Sequence, residues 1–179
     1  MFFIPGWLIA AVTFPGVIVH EAAHKFFCDL VGVPVYKVAY FRLAGKPAGY
    51  VLHGPAPSLG AAFLITIGPL IINTLLCAVI SFSAIVPIFI LGQTTPSPVS
   101  MALLWVGISI GMHAIPSSQD TQNFTEQVER DHGKGVLFFL AMIFHGIFIV
   151  TNFLRIVWID LIYAGLTAMF LPWVTGLVA

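Results

Sequence analysis

Charge is what this sequence has least of: only 8% of its 179 residues are Asp, Glu, Lys or Arg, against 59% hydrophobic. A soluble domain needs far more charge to cover its surface. With a mean hydropathy of +1.03, the composition predicts an integral membrane protein. Net charge is zero and no basic stripe is present, which argues against a nucleic-acid partner. The two cysteines, Cys28 and Cys77, sit in apolar stretches and give no disulfide framework. Residues Met1 to Pro5 lack the positive region of a secretory signal, so the first apolar run is expected to be retained. Internal repeats and low-complexity tracts are missing. The loops are too short to hold an appended peptide-binding or nucleotide-sensing module.

What remains is long apolar segments separated by a few polar stretches. The first runs from about Trp7 to Val31 and stops at Gly32 and Pro34. Residues 33–57 hold two short β-prone runs, rich in Val, Tyr and Phe, around Gly45-Lys46-Pro47. This pattern predicts a hairpin at the membrane surface. A second apolar segment covers roughly Ser58 to Leu91, with Pro69 and Pro87 inside, long enough to tilt, kink or include a re-entrant piece. A third spans about Val99 to Ile115 and ends at Pro116. Residues 117–134 are the one strongly polar stretch. A fourth segment covers about Gly135 to Val157 and a fifth about Ile159 to Leu177. The expected fold is an all-α polytopic membrane protein of about five transmembrane helices with a small surface β-hairpin.

Charge sets an expected orientation. If the second segment crosses once, Lys37, Arg42, Lys46, Arg130 and Lys134 share one side and Arg155 lies on the other. The positive-inside rule makes the five-residue side cytoplasmic, with the N-terminus external and the C-terminus cytoplasmic.

Inside the first apolar segment stands His20-Glu21-Ala22-Ala23-His24. Residues four apart on an α-helix differ by about 40° around the axis, so His20 and His24 share a face and can reach one Zn²⁺. Glu21 is placed to take a proton from a metal-activated water. With this composition the pattern arises in roughly 0.3% of random shuffles. Ionisable groups in an apolar span are costly and mark candidate functional sites.

A catalytic zinc usually takes three protein ligands. Cys28 continues the i, i+4 series, but on a straight helix it lies about 12 Å along the axis from His20, too far for one ion. The third ligand is therefore expected from another element. Asp120, just after the helix-ending Pro116, is the choice, with His113, His145, His53 and Glu126 as competitors. Asp120 also suits a helix-capping role near Ser117 and Ser118. Gly107 and Gly111 read as a close helix-packing pair.

These motifs resemble the site-2 protease family of intramembrane zinc metalloproteases. Its HExxH motif is matched in full by His20 to His24. Its NxxPxxxLDG motif is matched loosely from His113 through Pro116 to Asp120, with His113 at the Asn position, one residue fewer before Asp120 and Thr121 for Gly. Its Gly-Pro-x-x-Asn motif resembles Gly68-Pro69 followed by Asn73, with one extra residue between. Gly49-Tyr50-Val51 resembles its β-strand region. The likeness covers roughly residues 10–125. It implies a single domain with a catalytic core in residues 1–134, including the hairpin and the polar stretch, and two further transmembrane helices in 135–179.

The resemblance implies an intramembrane zinc metalloprotease acting on membrane-spanning or membrane-associated proteins. Zn²⁺ would sit on His20, His24 and Asp120, with Glu21 as general base. Asn73 would serve either as a substrate or oxyanion contact or as an interhelical hydrogen bonder. The hairpin edge would hold an extended substrate strand. The alternative from another class is a small membrane transporter or gate using the same cluster for metal or proton binding; a zinc-binding scaffold without turnover is a third.

Overall fold

A computed structural model of the chain describes residues 5–43, 45–87, 91, 95–131 and 135–176. Met1 to Ile4, Ala44 in the expected hairpin turn, Gly92 and Lys134 lie outside them. The described residues are mostly helical, with seven α-helices and one two-stranded antiparallel sheet.

The first expected segment forms two helices, α1 (Gly6–Val12) and α2 (Phe14–Leu30), bent by 89° at Thr13. Pro15 explains the break: it has no N–H to continue the ladder, yet it is tolerated in the first turn of a new helix. Strands β1 (Val35–Ala39) and β2 (Tyr50–His53) pair from Ala39–Tyr50 to Val35–His53, with an irregularity between Val35 and Lys37. The strands lie where the two β-prone runs predict them. Val33, Val35 and Val51 pack against Phe27, Cys28 and Ile65, fixing the sheet beneath the end of α2.

Helix α3 (Leu59–Ile85) is capped by Ser58, whose hydroxyl accepts from the Ala61 N–H, and it continues unbroken through Pro69. Helix α4 (Pro98–Met112) starts at the Ser97 cap. Small residues bring these helices together. Methyl groups on Gly107 and Gly111 would collide with Ser81 and Cys77 of α3, so the expected packing role of this pair is what the fold uses. A methyl on Gly16 of α2 would lie 1.9 Å from the Ser109 carbonyl oxygen of α4. Helices α2, α3 and α4 pack on one another, and α7 packs against both α3 and α4.

The polar stretch 117–134 contains a helix, α5 (Ser118–Asp131). Thr121, Phe124 and Val128 recur at helical spacing and are buried, while the intervening positions are polar. Helix α6 (Val136–Leu154) runs antiparallel to α5, joined through Thr125–His145 and Thr121–Asn152, with Phe63, Phe124, Phe144 and Phe148 in contact. A single 3-10 turn (Arg155–Val157) and Trp158, in the left-handed region at φ 61°, lead into α7 (Ile159–Val174).

The fourth and fifth expected segments are thus not simple neighbouring spans: they meet at 106°. Thr74–Tyr163 and Cys77–Ala164 contacts set α7 parallel to α3. The end of α7 therefore lies towards the end of α3, away from the hairpin, and not on the hairpin side as the charge argument expects. Arg155 donates to the Ile115 and Pro116 carbonyls, so its expected separation from the turn before α5 is not seen either. The cause is the antiparallel α5–α6 pair, which returns the chain to where it left. Among the described residues, α3 is the one helix long and apolar enough to cross a membrane; each bent pair would add one span if counted together.

Candidate metal centre

His20 and His24 lie on the same face of α2, as their spacing predicts, with their Nε2 atoms 3.2 Å apart. Both side chains are buried. The His20 Nδ1 lies 2.6 Å from the His113 carbonyl oxygen, and the His24 Nδ1 lies 3.0 Å from that of Ile65. A carbonyl only accepts, so each Nδ1 carries the proton and each Nε2 of the neutral ring presents a lone pair.

Each accepting carbonyl is spare for a local reason. In α3 the Ile65 oxygen would ordinarily receive the N–H of residue 69, which is Pro69 and has none. His113 is the residue that closes α4, and Pro116 keeps the helix from continuing. The Asn73 side chain also donates to the His113 oxygen (3.0 Å) and to that of Ile110 (3.2 Å). Asn73 is fully buried behind the histidines and is not part of the cavity wall, so its contacts are interhelical hydrogen bonds. Among the described residues its Oδ1 is buried without a partner.

Asp120 reaches the pair from the first turn of α5. Its Oδ1 is 3.1 Å from His24 Nε2 and its Oδ2 is 3.4 Å from His20 Nε2. Ser117 and Asp120 form a reciprocal cap. The Ser117 N–H donates to Asp120 Oδ2 (2.7 Å), and the Asp120 N–H donates to Ser117 Oγ (3.2 Å). The capping role and the approach to the histidines therefore coexist in one carboxylate.

The donor set fits a metal ion. Two imidazole lone pairs and a carboxylate, all acceptors, converge, and one ligating atom from each lies within 4.8 Å of the others. The Nε2–Nε2 separation of 3.2 Å is close to the edge of a tetrahedron with bonds of about 2.0–2.1 Å, which is about 3.3 Å, and each ring faces a different oxygen of the Asp120 carboxylate. Among the described residues this is the one such group. The competing ligands are engaged elsewhere: His113 Nε2 with Thr13, His145 with Thr125, His53 with the Gly54 carbonyl and Glu126 with Arg130.

The group opens into a cavity of about 770 Å³, whose wall also includes Glu21. Glu21 lies hard against the chain before β2: a methyl on Gly49 would come within 2.6 Å of Glu21 Cγ and 2.9 Å of its Oε1. Every residue from Pro47 to Ala56 borders the cavity, and β2 has no strand partner on its second edge among the described residues. Opposite, Gln119, Asn123, Glu126, Gln127 and Arg130 make one polar face of α5 on the cavity wall. Arg155, Trp158 and Asp160 complete it from the α6–α7 corner.

Sequence reasoning names Ser117 as a cap, Pro69 and Gly49 within motifs and Arg155 by its charge, but gives none of them, nor Asn152, a part in holding the site. Ser117 and Asp120 at i, i+3 are a legible capping pattern, and Asn152 and Arg155 are polar residues in an apolar segment. Gly49 and Pro69 carry no comparable signal. Comparison with protein families, curated proteins and solved structures gives no match.

Proposed function

We propose that this protein is a zinc metalloendopeptidase of the site-2 protease kind, embedded in a bilayer and cleaving membrane-spanning or membrane-associated proteins. The observation that carries this reading is the convergence of three acceptor side chains, His20, His24 and Asp120, beside Glu21 on a cavity wall. Buried acceptors facing one another are costly unless a positive charge stands among them, and a metal ion supplies it while leaving both Nδ1 bonds intact.

His20 and His24 offer Nε2 because backbone carbonyls hold their Nδ1 protons, and Asp120 offers a carboxylate already aimed by Ser117. Zinc, when bound, supplies Lewis-acid polarisation of a scissile carbonyl and lowers the pKa of a water. Glu21 accepts the proton of the attacking water and delivers it to the leaving amine as the peptide C–N bond breaks. The polar face of α5 provides the water route. The second edge of β2 pairs with a substrate drawn into extended form by backbone hydrogen bonds, leaving its amides unshielded.

Placement in the bilayer is multi-pass, with α3 crossing and the bent pairs packed on it. Lys37, Arg42 and Lys46, with no acidic residue between Asp29 and Asp120, set the hairpin end at the cytoplasmic surface.

The test is zinc content and hydrolysis of a fluorescently labelled single-span peptide by the purified protein in micelles. The wild type should carry about one zinc per chain. Glu21→Gln should keep the zinc and lose about 10²–10⁴-fold in rate. Zinc-free wild-type protein, or metal flux into proteoliposomes without peptide cleavage, would overturn the reading.

A further inference from the structure

We infer that Asn152 and Arg155 are positioning residues for Asp120, which makes the α6–α7 corner a working part of the centre. The inference rests on the metal-binding reading above. Neither residue bonds to Asp120 itself; both grip the turn from which it springs. Arg155 Nη2 donates to the carbonyls of Ile115 (3.0 Å) and Pro116 (3.3 Å). Asn152 Nδ2 donates its two hydrogens to Thr121 Oγ1 (3.0 Å) and to the Phe148 carbonyl of its own helix (2.9 Å), with the Pro116 carbonyl at 3.4 Å, while its Oδ1 accepts from the Ser118 hydroxyl (3.2 Å).

The donor–acceptor logic fixes the Asn152 amide. Thr121 gives its hydroxyl proton to the Ser117 carbonyl (3.0 Å), so Thr121 Oγ1 must accept from Asn152. Ser117 in turn donates its N–H to Asp120 Oδ2. The chain of bonds therefore runs from α6, through Thr121 and Ser117, to the carboxylate.

The turn needs this support. Residues 113–117 join two helices, and the carbonyls at the end of α4 have no helical partner. Asn152 and Arg155 are three apart, so they project from one face of the end of α6 and the 3-10 turn that continues it. From the far side, Asp160 Oδ2 lies 3.2 Å from Arg155 Nε and holds the guanidinium in place. Without the grip, Asp120 keeps its cap on Ser117, but the cap and the turn move together relative to α2.

The experiment uses the full chain in micelles, with two readouts: zinc affinity by chelator competition, and amide hydrogen exchange over residues 115–124. Asn152→Ala and Arg155→Ala should each weaken zinc about 10–100-fold and speed exchange in that stretch, with helical content unchanged. Arg155→Lys, which keeps a donor for the two carbonyls, should restore most of the affinity. Should an alanine variant fail to fold, Asn152→Asp keeps the acceptor for Ser118, removes the donor to Thr121 and is expected to show the same loss.

Faster exchange with undiminished zinc affinity would reduce the two residues to a structural role and overturn the inference, as would no change in either readout. Zinc-free wild type is a different failure. It would sink the metal reading, while exchange over 115–124 would still decide whether the corner holds the turn.

Discussion

His24 Nδ1 donates to the Ile65 carbonyl across 3.0 Å, an oxygen left without its helical donor by Pro69. A proline inside a helix ordinarily costs about 3 kcal/mol relative to alanine. Here the lost bond is what leaves an orienting acceptor for the His24 imidazole. Pro69→Ala should therefore split two properties that usually move together. The variant should melt no lower than the wild type without metal, yet bind zinc about tenfold more weakly, because the N–H gained at position 69 competes for the Ile65 oxygen. Thermal melts of the metal-free protein, paired with chelator competition, check both halves.

Asp120 serves α5 and the histidines at once, and two substitutions separate these duties. Asp120→Asn keeps an oxygen to accept the Ser117 N–H but removes the charge. It should retain the helix and lose most of the zinc. Asp120→Ala should lose the zinc and also about 1 kcal/mol of stability from the cap. Metal analysis and denaturant titration distinguish the pair; full zinc occupancy in both would move the third ligand elsewhere.

Gly49 leaves no room for a side chain beside Glu21. Gly49→Ala should push the carboxylate or the strand aside while leaving His20, His24 and Asp120 in place. The expected outcome is normal zinc content with hydrolysis reduced about 10²-fold, the scale of a small displacement of a catalytic group. Equal loss of zinc and activity would instead mean that the whole α2–hairpin contact had given way.

Gly16 is where α2 crosses α4, one turn before His20. The Gly16→Ala methyl would strike the Ser109 carbonyl, which is backbone and cannot swing away. A loss of about 1–3 kcal/mol from overpacking, together with weaker zinc binding, should follow as the His20–His113 contact lengthens. Unfolding of the variant with and without zinc measures each.

How much of this was legible depended on the range over which the physics acts. The shared face of His20 and His24 follows from helical period alone, and the strands from the β-prone runs around Gly45, Lys46 and Pro47. Asp120 was legible from its place after Pro116, and the close approach at Gly107 and Gly111 from their spacing. The buried positions Thr121, Phe124 and Val128 carry the period of α5, though polarity dominates the composition around them. The 89° bend at Thr13 rests on Pro15, which reads equally well as the first turn of a helix inside a longer span. The return of α6 to the α4–α5 turn was not legible, because it depends on the antiparallel pairing of α5 and α6. With it went the expected siding of Arg155 and of the end of α7. The position of Asn73 behind the cluster likewise follows from how α3 meets α4.

Both imidazoles are steadied by main-chain oxygens, those of Ile65 and His113, and not by side-chain carboxylates. Exchanging the Ile65 side chain for another apolar one leaves its oxygen where it is. Inserting or deleting one residue upstream in α3 rotates the register by about 100° and carries that oxygen out of reach. The centre should therefore drift freely in residue type at such positions and hardly at all in spacing.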